Sequence, residues 1–582
     1  MNSTSNTPQL SFVPSSPLDA PTSFYNKRDV KSEVLRAGHI DREGALALSC
    51  DITVDYNLPV RLRDGAVIYA NVYRPADALE SVPAIIAWSP YGKDGGFWHL
   101  DRFPGRLGIG NDRLSNLQKF EGPDPAYWCA HGYAVVHPDS RGAFESDGDI
   151  PLWGRQERED GYDFIEWLAA QPWCSGKVGM AGNSWLSIAQ WNIASGCPPH
   201  LTAIAPWEGN SDLYQIMVPG GIPSPCFIED LMTHLYGRHR TEDMLSVVKS
   251  APLRDAYWLD KAPPVERIRI PMYTVASYTN PLHSTTTFKA FRRSASPNKW
   301  LRISNRMEWV DFYDEQNQAD LLAFFDRYLK GKDNGWEKTP PVRHTVLDMQ
   351  GNDIVNRPEA SFPLPATKYT RLYLDATAKQ LVSSPAEAVS TVSYTADDGK
   401  GKAIFEFTAD RDIEISGYIK LKLWVQAQDA DDMDVFVILQ KLDANGNVLY
   451  HKSIPEERLP EEGIAFLRLS PMFNGYSGCS YRLRASRREL DSDLSTPWEP
   501  VLSFRTEHKL GPDEIVPLEM PLGPTALLLT KGEKLRLTVA GHELDFELLP
   551  TYQGKETLNR GRHVLHTGLL RDAHLLLPII GA

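Results

Sequence analysis

Lys177-Val178-Gly179-Met180-Ala181-Gly182-Asn183-Ser184-Trp185-Leu186-Ser187 decides how the chain folds. Val178 to Ala181 is a short apolar run of the kind that forms a buried strand, and the segment from about Leu186 to Ala194 has the spacing of a helix. Gly182-Asn183-Ser184 sits between the two, where a strand must turn sharply into a helix. Such a turn lifts a serine hydroxyl clear of the sheet and places the first N–H groups of the helix, with its positive dipole end, where an oxyanion would form. Gly182, two residues before the serine, lets the chain bend without a side-chain clash. Leu186 stands where the Gly-x-Ser-x-Gly pattern has its second glycine. The alternative role for Ser184 is that of a helix N-cap.

Outward from this turn the pattern is strand, helix, strand. Tyr133 to His137 is a continuous apolar run, Asp160 to Ala170 is helical, and Leu201 to Ala205 is the next strand. That alternation predicts a parallel sheet with helical crossovers. The rhythm breaks over 211–265, which reads as a helical cap inserted above the sheet. It resumes at Pro271 to Ala276 and Lys299 to Ile303, and the helix Asp320 to Leu329 closes the unit. The predicted organisation is a polar N-terminal arm over 1–45, partly disordered and lying along the body; an α/β domain over 46–210 and 266–340 with the cap between; and an all-β domain over 341–582. The last assignment rests on period-two runs such as Tyr418 to Val425 and Lys534 to Val539, with Asn445-Gly446 as a hairpin turn. A sandwich or jelly roll is expected there.

The 582 residues exceed one hydrophobic core, and about two or three domains are expected. The net charge of −14, from 61 basic and 75 acidic residues, disfavours nucleic acid and anionic membranes as partners. No run approaches a membrane span, and no export signal is visible, so a cytoplasmic location is expected. The six cysteines lack paired spacing, and neither a zinc site nor any other metal or cofactor is expected. Asp429, Asp431, Asp432 and Asp434 do not fit a calcium loop and read as a solvated turn. The expected partner is a small-molecule substrate, with homodimer formation left open.

Further motifs carry a resemblance. Glu159-Asp160-Gly161-Tyr162-Asp163 through Trp167, Gln171-Pro172-Trp173-Cys174, Gly176 to Met180, Ser184 and Gln190-Trp191 resemble the cocaine esterase / X-Pro dipeptidyl-peptidase (CocE/NonD) family of α/β-hydrolases. So do His137-Pro138-Asp139-Ser140-Arg141-Gly142, Ser146-Asp147-Gly148 and the ending Leu575 to Ile580. The resemblance spans about 55–582 and implies an α/β-hydrolase domain with an inserted cap, a C-terminal jelly roll, and cofactor-free acyl hydrolysis of esters or amides. It maps the nucleophile onto Ser184. The oxyanion donors fall on the Tyr91 hydroxyl, in Ser89-Pro90-Tyr91-Gly92-Lys93, and on the Trp185 backbone N–H.

Two family positions differ. Where the resemblance calls for the acid in Gly-Trp-x-Asp, this chain has Ala276 to His283 with no Asp, and Thr279 or Asn280 stands in its place; where it calls for the histidine, in Ile303 to Trp309, Glu308 falls nearest. A serine hydroxyl needs a positioned base. His283, displaced from the usual place, and Glu308, if burial raises its pKa, are the candidate bases. Their structural alternatives are a loop histidine bonded to backbone and a carboxylate paired with Arg302 or Arg306. His563 and His566 read as structural. Trp207, Tyr214, Trp98 and Phe227, with Trp185, are candidates to line an apolar pocket, and Asn280 joins them in substrate binding.

The expected function is a serine hydrolase or acyltransferase acting through Ser184 on an ester or amide of a small hydrophobic metabolite. The alternative is a non-hydrolytic biosynthetic enzyme, catalysing a cyclisation, elimination or rearrangement in the same pocket. A ligand-binding pseudoenzyme is the third reading.

Overall fold

The computed structural model describes residues 10–250, 252–456, 459, 461, 475–544 and 557–581. Seven parallel strands form the middle of an 11-stranded sheet: Ala134–Asp139, Val82–Ile86, Cys174–Gly182, Leu201–Pro206, Met272–Ser277, Lys299–Ser304 and Val342–Val346, in that spatial order. Antiparallel strands extend both edges. The middle strands are apolar on both faces because helices such as Arg155–Ala169, Ser184–Ser195 and Glu315–Leu329 pack against the sheet. The chain runs outward in both directions from between Val82–Ile86 and Cys174–Gly182, so the loops at their C-terminal ends diverge and leave a crevice.

The described part of the predicted arm, residues 10–45, is more ordered than expected. Phe12–Pro14 pairs with Arg240–Glu242, and Lys31–Leu35 is the edge strand of the main sheet. Both strands are short and mixed in polarity, so the sequence carries no clear period for them. Between the strands Leu201–Pro206 and Met272–Ser277, the span 211–265 carries four short helices, Tyr214–Met217, Cys226–Thr233, Met244–Lys249 and Ala256–Asp260. Residues of the first two line the cavity described below.

The C-terminal half is all-β, built around Ile413–Gln428 and Val516–Leu529, which pair antiparallel along most of their length. The alternation in these strands faces a core of Leu421, Leu423, Val425, Leu518 and Met520. This half abuts the cap. At Gly220, with φ of 59°, an added Cβ would lie 1.7 Å from the carbonyl oxygen of Arg482 on the strand Gly478–Arg484, so only glycine permits the approach. No helix among the described residues is long and apolar enough to cross a membrane.

Candidate active site

Ser184 begins the helix Ser184–Ser195 directly after the strand Cys174–Gly182, with φ of 50°. That left-handed backbone is costly for a residue with a side chain and must be held by its surroundings. Two hydrogen bonds hold it: Asn183 N–H donates to the Glu121 carbonyl (3.2 Å) and Ser184 N–H to the Glu208 carbonyl (2.8 Å). Gly182, with φ of 135°, permits the turn, since a Cβ there would lie 2.7 Å from Leu186 Cβ and 2.8 Å from Glu121 O. Leu186 therefore fills the space beside Gly182 where the usual pattern has a second glycine.

Tyr91 follows the neighbouring strand Val82–Ile86 and places its hydroxyl in hydrogen-bonding reach of the Ser184 side chain. Burial and the carboxyls of Glu121 and Glu308 push the phenol well above its ordinary pKa, so it stays an O–H donor. The Trp185 N–H lies in the first helical turn, where no intrahelical carbonyl is available to it. The indole of Trp185 points away from the cavity, donates to Glu157 (2.9 Å) and packs against Trp153, with ring centroids 4.0 Å apart and the planes tilted by 31°.

Ser184 opens into a cavity of about 290 Å³. The α/β domain contributes Tyr91, Trp98, Phe120, Glu121, Glu308 and Trp309; the cap contributes Phe227 and Leu231; the β domain contributes Tyr476, Tyr481 and Arg482. Asn280 and His283, in the loop after Met272–Ser277, also line it. Trp98, Phe227 and Asn280 thus lie where the sequence placed them. Trp207 and Tyr214 do not. Trp207 is buried between Tyr273 and Phe312 with the Arg302 guanidinium over its ring, and Tyr214 packs on Trp258 and Phe504 and donates to the Pro252 carbonyl. Both are core aromatics; composition near the turn does not say which way a ring faces.

Glu308 starts a short helix after Lys299–Ser304 and is 2% exposed. The expected pairing with Arg302 or Arg306 does not occur: those guanidiniums engage Asp311 and Asp314. Its Oε2 accepts instead from the Asn280 amide (3.2 Å). Asn280 and Glu308, one from each of the two stretches where the resemblance calls for an acid and a histidine, therefore touch. Burial pushes the Glu308 carboxyl well above the usual carboxylate range, and Glu121 pushes it further.

His283 is buried, and that burial lowers its pKa to about 3, so the ring is neutral. Thr286 donates to the Asn210 side-chain oxygen (2.6 Å), which turns the Asn210 amide N–H toward His283 Nδ1 (3.2 Å). The ring proton then sits on Nε2, 3.4 Å from Glu308 Oε2. This corrects both readings of His283: its partners are side chains, and it faces Glu308. No imidazole hydrogen-bonds Ser184 Oγ among the described residues.

Sequence reasoning missed Glu121, which no motif marks. It also missed the wall from the β domain, whose closeness depends on how the two halves dock. His563 and His566 bond Tyr394 and Gln426 on the β domain. Among the described residues no group of three or more His, Cys, Asp or Glu is placed to hold a metal ion.

Comparison with known proteins adds four findings. The X-Pro dipeptidyl-peptidase (S15 family) pattern matches residues 64–306, and the X-Pro dipeptidyl-peptidase C-terminal non-catalytic domain matches 334–576. A CocE/NonD family hydrolase from Staphylococcus aureus superimposes with a TM-score of 0.85 at 31% identity, covering 97% of this chain and all of that one. Cocaine esterase of a Rhodococcus species is 28% identical over 402 residues, 58% of this chain and 65% of the esterase. An aminopeptidase from a Thaumarchaeota archaeon shares the fold, with a TM-score of 0.62 at 14% identity over 90% of this chain and 96% of that one.

Proposed function

The chain belongs to the CocE/NonD family of hydrolases, and on that premise we propose that it is a serine hydrolase or acyltransferase acting through Ser184 on an ester or amide of a small hydrophobic metabolite. The observation that carries this is the strained turn at Ser184, opening into an aromatic-walled cavity beside the Tyr91 hydroxyl. In this reading Glu308 takes the Ser184 proton as Oγ attacks the acyl carbon. The Asn280 amide holds the carboxylate in place, with the neutral His283 ring beside it. The Tyr91 hydroxyl and Trp185 N–H receive the oxyanion, and a cavity of about 290 Å³ suits an acyl group of modest size.

The same raised proton affinity of Glu308 favours a second reading. A carboxyl protonated at neutral pH serves as a general acid for a cyclisation or elimination without a covalent intermediate. A fluorophosphonate probe separates the two. Labelling at Ser184, with loss of turnover in Ser184→Ala, supports the covalent route. An unlabelled chain whose Ser184→Ala variant keeps its activity supports the other.

A further inference from the structure

Glu121 is tied to the nucleophile turn by its own backbone, since its carbonyl accepts the N–H of Asn183, the residue before Ser184. Its side chain lines the same cavity as Ser184 and Glu308 and is 2% exposed. One oxygen, Oε1, accepts the Trp309 indole N–H (3.0 Å). The other, Oε2, is buried and has no hydrogen-bond partner. An orphan carboxyl oxygen is costly to bury and is rarely retained without use. Trp309 follows Glu308 in the chain, so the residue that holds Glu121 is the neighbour of the proposed base. No lysine or arginine forms a salt bridge with either carboxyl among the described residues.

We propose that Glu121 is a second catalytic residue, paired with Glu308: Glu308 accepts the Ser184 proton while Glu121 delivers one to the departing oxygen or nitrogen. This rests on the serine-hydrolase reading above. The assignment of roles follows from the donors. Glu308 Oε2 accepts the Asn280 N–H and has the His283 ring nitrogen 3.4 Å away, polar neighbours that favour its ionised form. Glu121 has only the indole N–H and a bare second oxygen, which favours its acid form. Burial pushes both carboxyls well above the usual range, and Glu121 disfavours charge on Glu308 further.

The step balances. In acylation the Ser184 O–H bond breaks, Oγ bonds the acyl carbon, Glu308 becomes the acid and Glu121 becomes the carboxylate as the alcohol or amine leaves. In deacylation water attacks the acyl carbon, Glu121 takes the water proton, and Glu308 returns its proton to Ser184 Oγ. Both carboxyls end as they began.

The groups facing the pair are few. Tyr91 and His283 are held uncharged by burial, and Glu208, behind Glu308, is raised by burial and by Glu308 itself. Tyr313, behind Glu121, is also raised, and across the cavity lie Asp230 and the Arg482–Glu543 ion pair.

The test compares ethyl butanoate, whose alkoxide needs a proton to leave, with 4-nitrophenyl butanoate, whose phenolate does not. In Glu121→Gln, kcat/KM should fall by about 10²–10⁴ for the ethyl ester and by less than about threefold for the nitrophenyl ester. Fluorophosphonate labelling of Ser184 should persist. If that variant does not fold, the wild-type chain carries the test. Its kcat/KM should be bell-shaped in pH for the ethyl ester, because Glu308 must be ionised and Glu121 protonated, and should rise to a plateau for the nitrophenyl ester. Labelling with equal losses on both esters, or matching pH profiles for the two, overturns the inference while leaving the nucleophile in place. A wild-type chain that is not labelled and cleaves neither ester removes the reading on which it rests.

Discussion

On one side of the cavity floor, Gly182 to Trp185 is fixed by one short stretch of chain: a strand, a glycine at φ of 135°, a serine at φ of 50° and the first turn of a helix. On the other side, Glu121 and Asn280 come from two separate loops and Glu308 from the start of a short helix, and they meet only in the folded molecule. The first kind of site is local and tolerates little change, because its geometry lies in the backbone. The second is made of side chains in a dry setting, where exchanging one group for another alters proton affinity more than shape. An Asn–Glu contact can thus occupy the place where the family resemblance calls for Asp and His.

The sharpest way to break the comparison is Ser184→Ala. Acyl turnover should fall by about 10⁶, with melting temperature little changed, as read by ester kinetics and calorimetry. Retained turnover would show that the backbone-built side is not where the bond is made. Tyr91→Phe removes one oxyanion donor and should lower kcat by about 10²–10³ with KM nearly unchanged.

Asn280→Asp probes the other side. It sets a second carboxyl against Glu308, so the rising limb of the pH–rate profile should move up by about one unit. An unmoved limb would mean that Glu308 is not the group titrating in catalysis.

The smallest effect should be on stability alone. Glu157, beneath the turn, accepts the indole N–H groups of Trp185 and Trp88, and burial raises its pKa to about 7. Its ordinary value lies near 4.5, so the folded chain holds a proton that the unfolded chain releases between about pH 4.5 and 7. Stability from this group is full below that window and is lost as the pH rises through it, amounting to about 3 kcal/mol. Glu157→Gln, which resembles the protonated form, should therefore raise the unfolding free energy at pH 8 and leave it unchanged at pH 4. Thermal scans at the two values check this.

The parallel sheet, the turn at Ser184 and the all-β half were legible because apolar period and glycine placement are local signals. Phe227 and Trp98 were placed on the cavity by nearness to the turn, and the same reasoning misplaced Trp207 and Tyr214, whose rings face the core. Glu121 was invisible for a different reason. Its segment, Lys119-Phe120-Glu121-Gly122-Pro123, has neither helix nor strand period, and its importance comes from the Asn183 N–H and Trp309 indole, distant in sequence.

Because Gly220 is pressed against the Arg482 carbonyl, and Tyr481 and Arg482 form part of the chamber, the half that matches a non-catalytic domain walls the space above Ser184. In the proposed reading, selectivity and chemistry are then inherited on different stretches of the gene. Exchanging C-terminal halves among relatives would recode the guest while leaving the bond-breaking groups untouched, provided the seam at that glycine still closes.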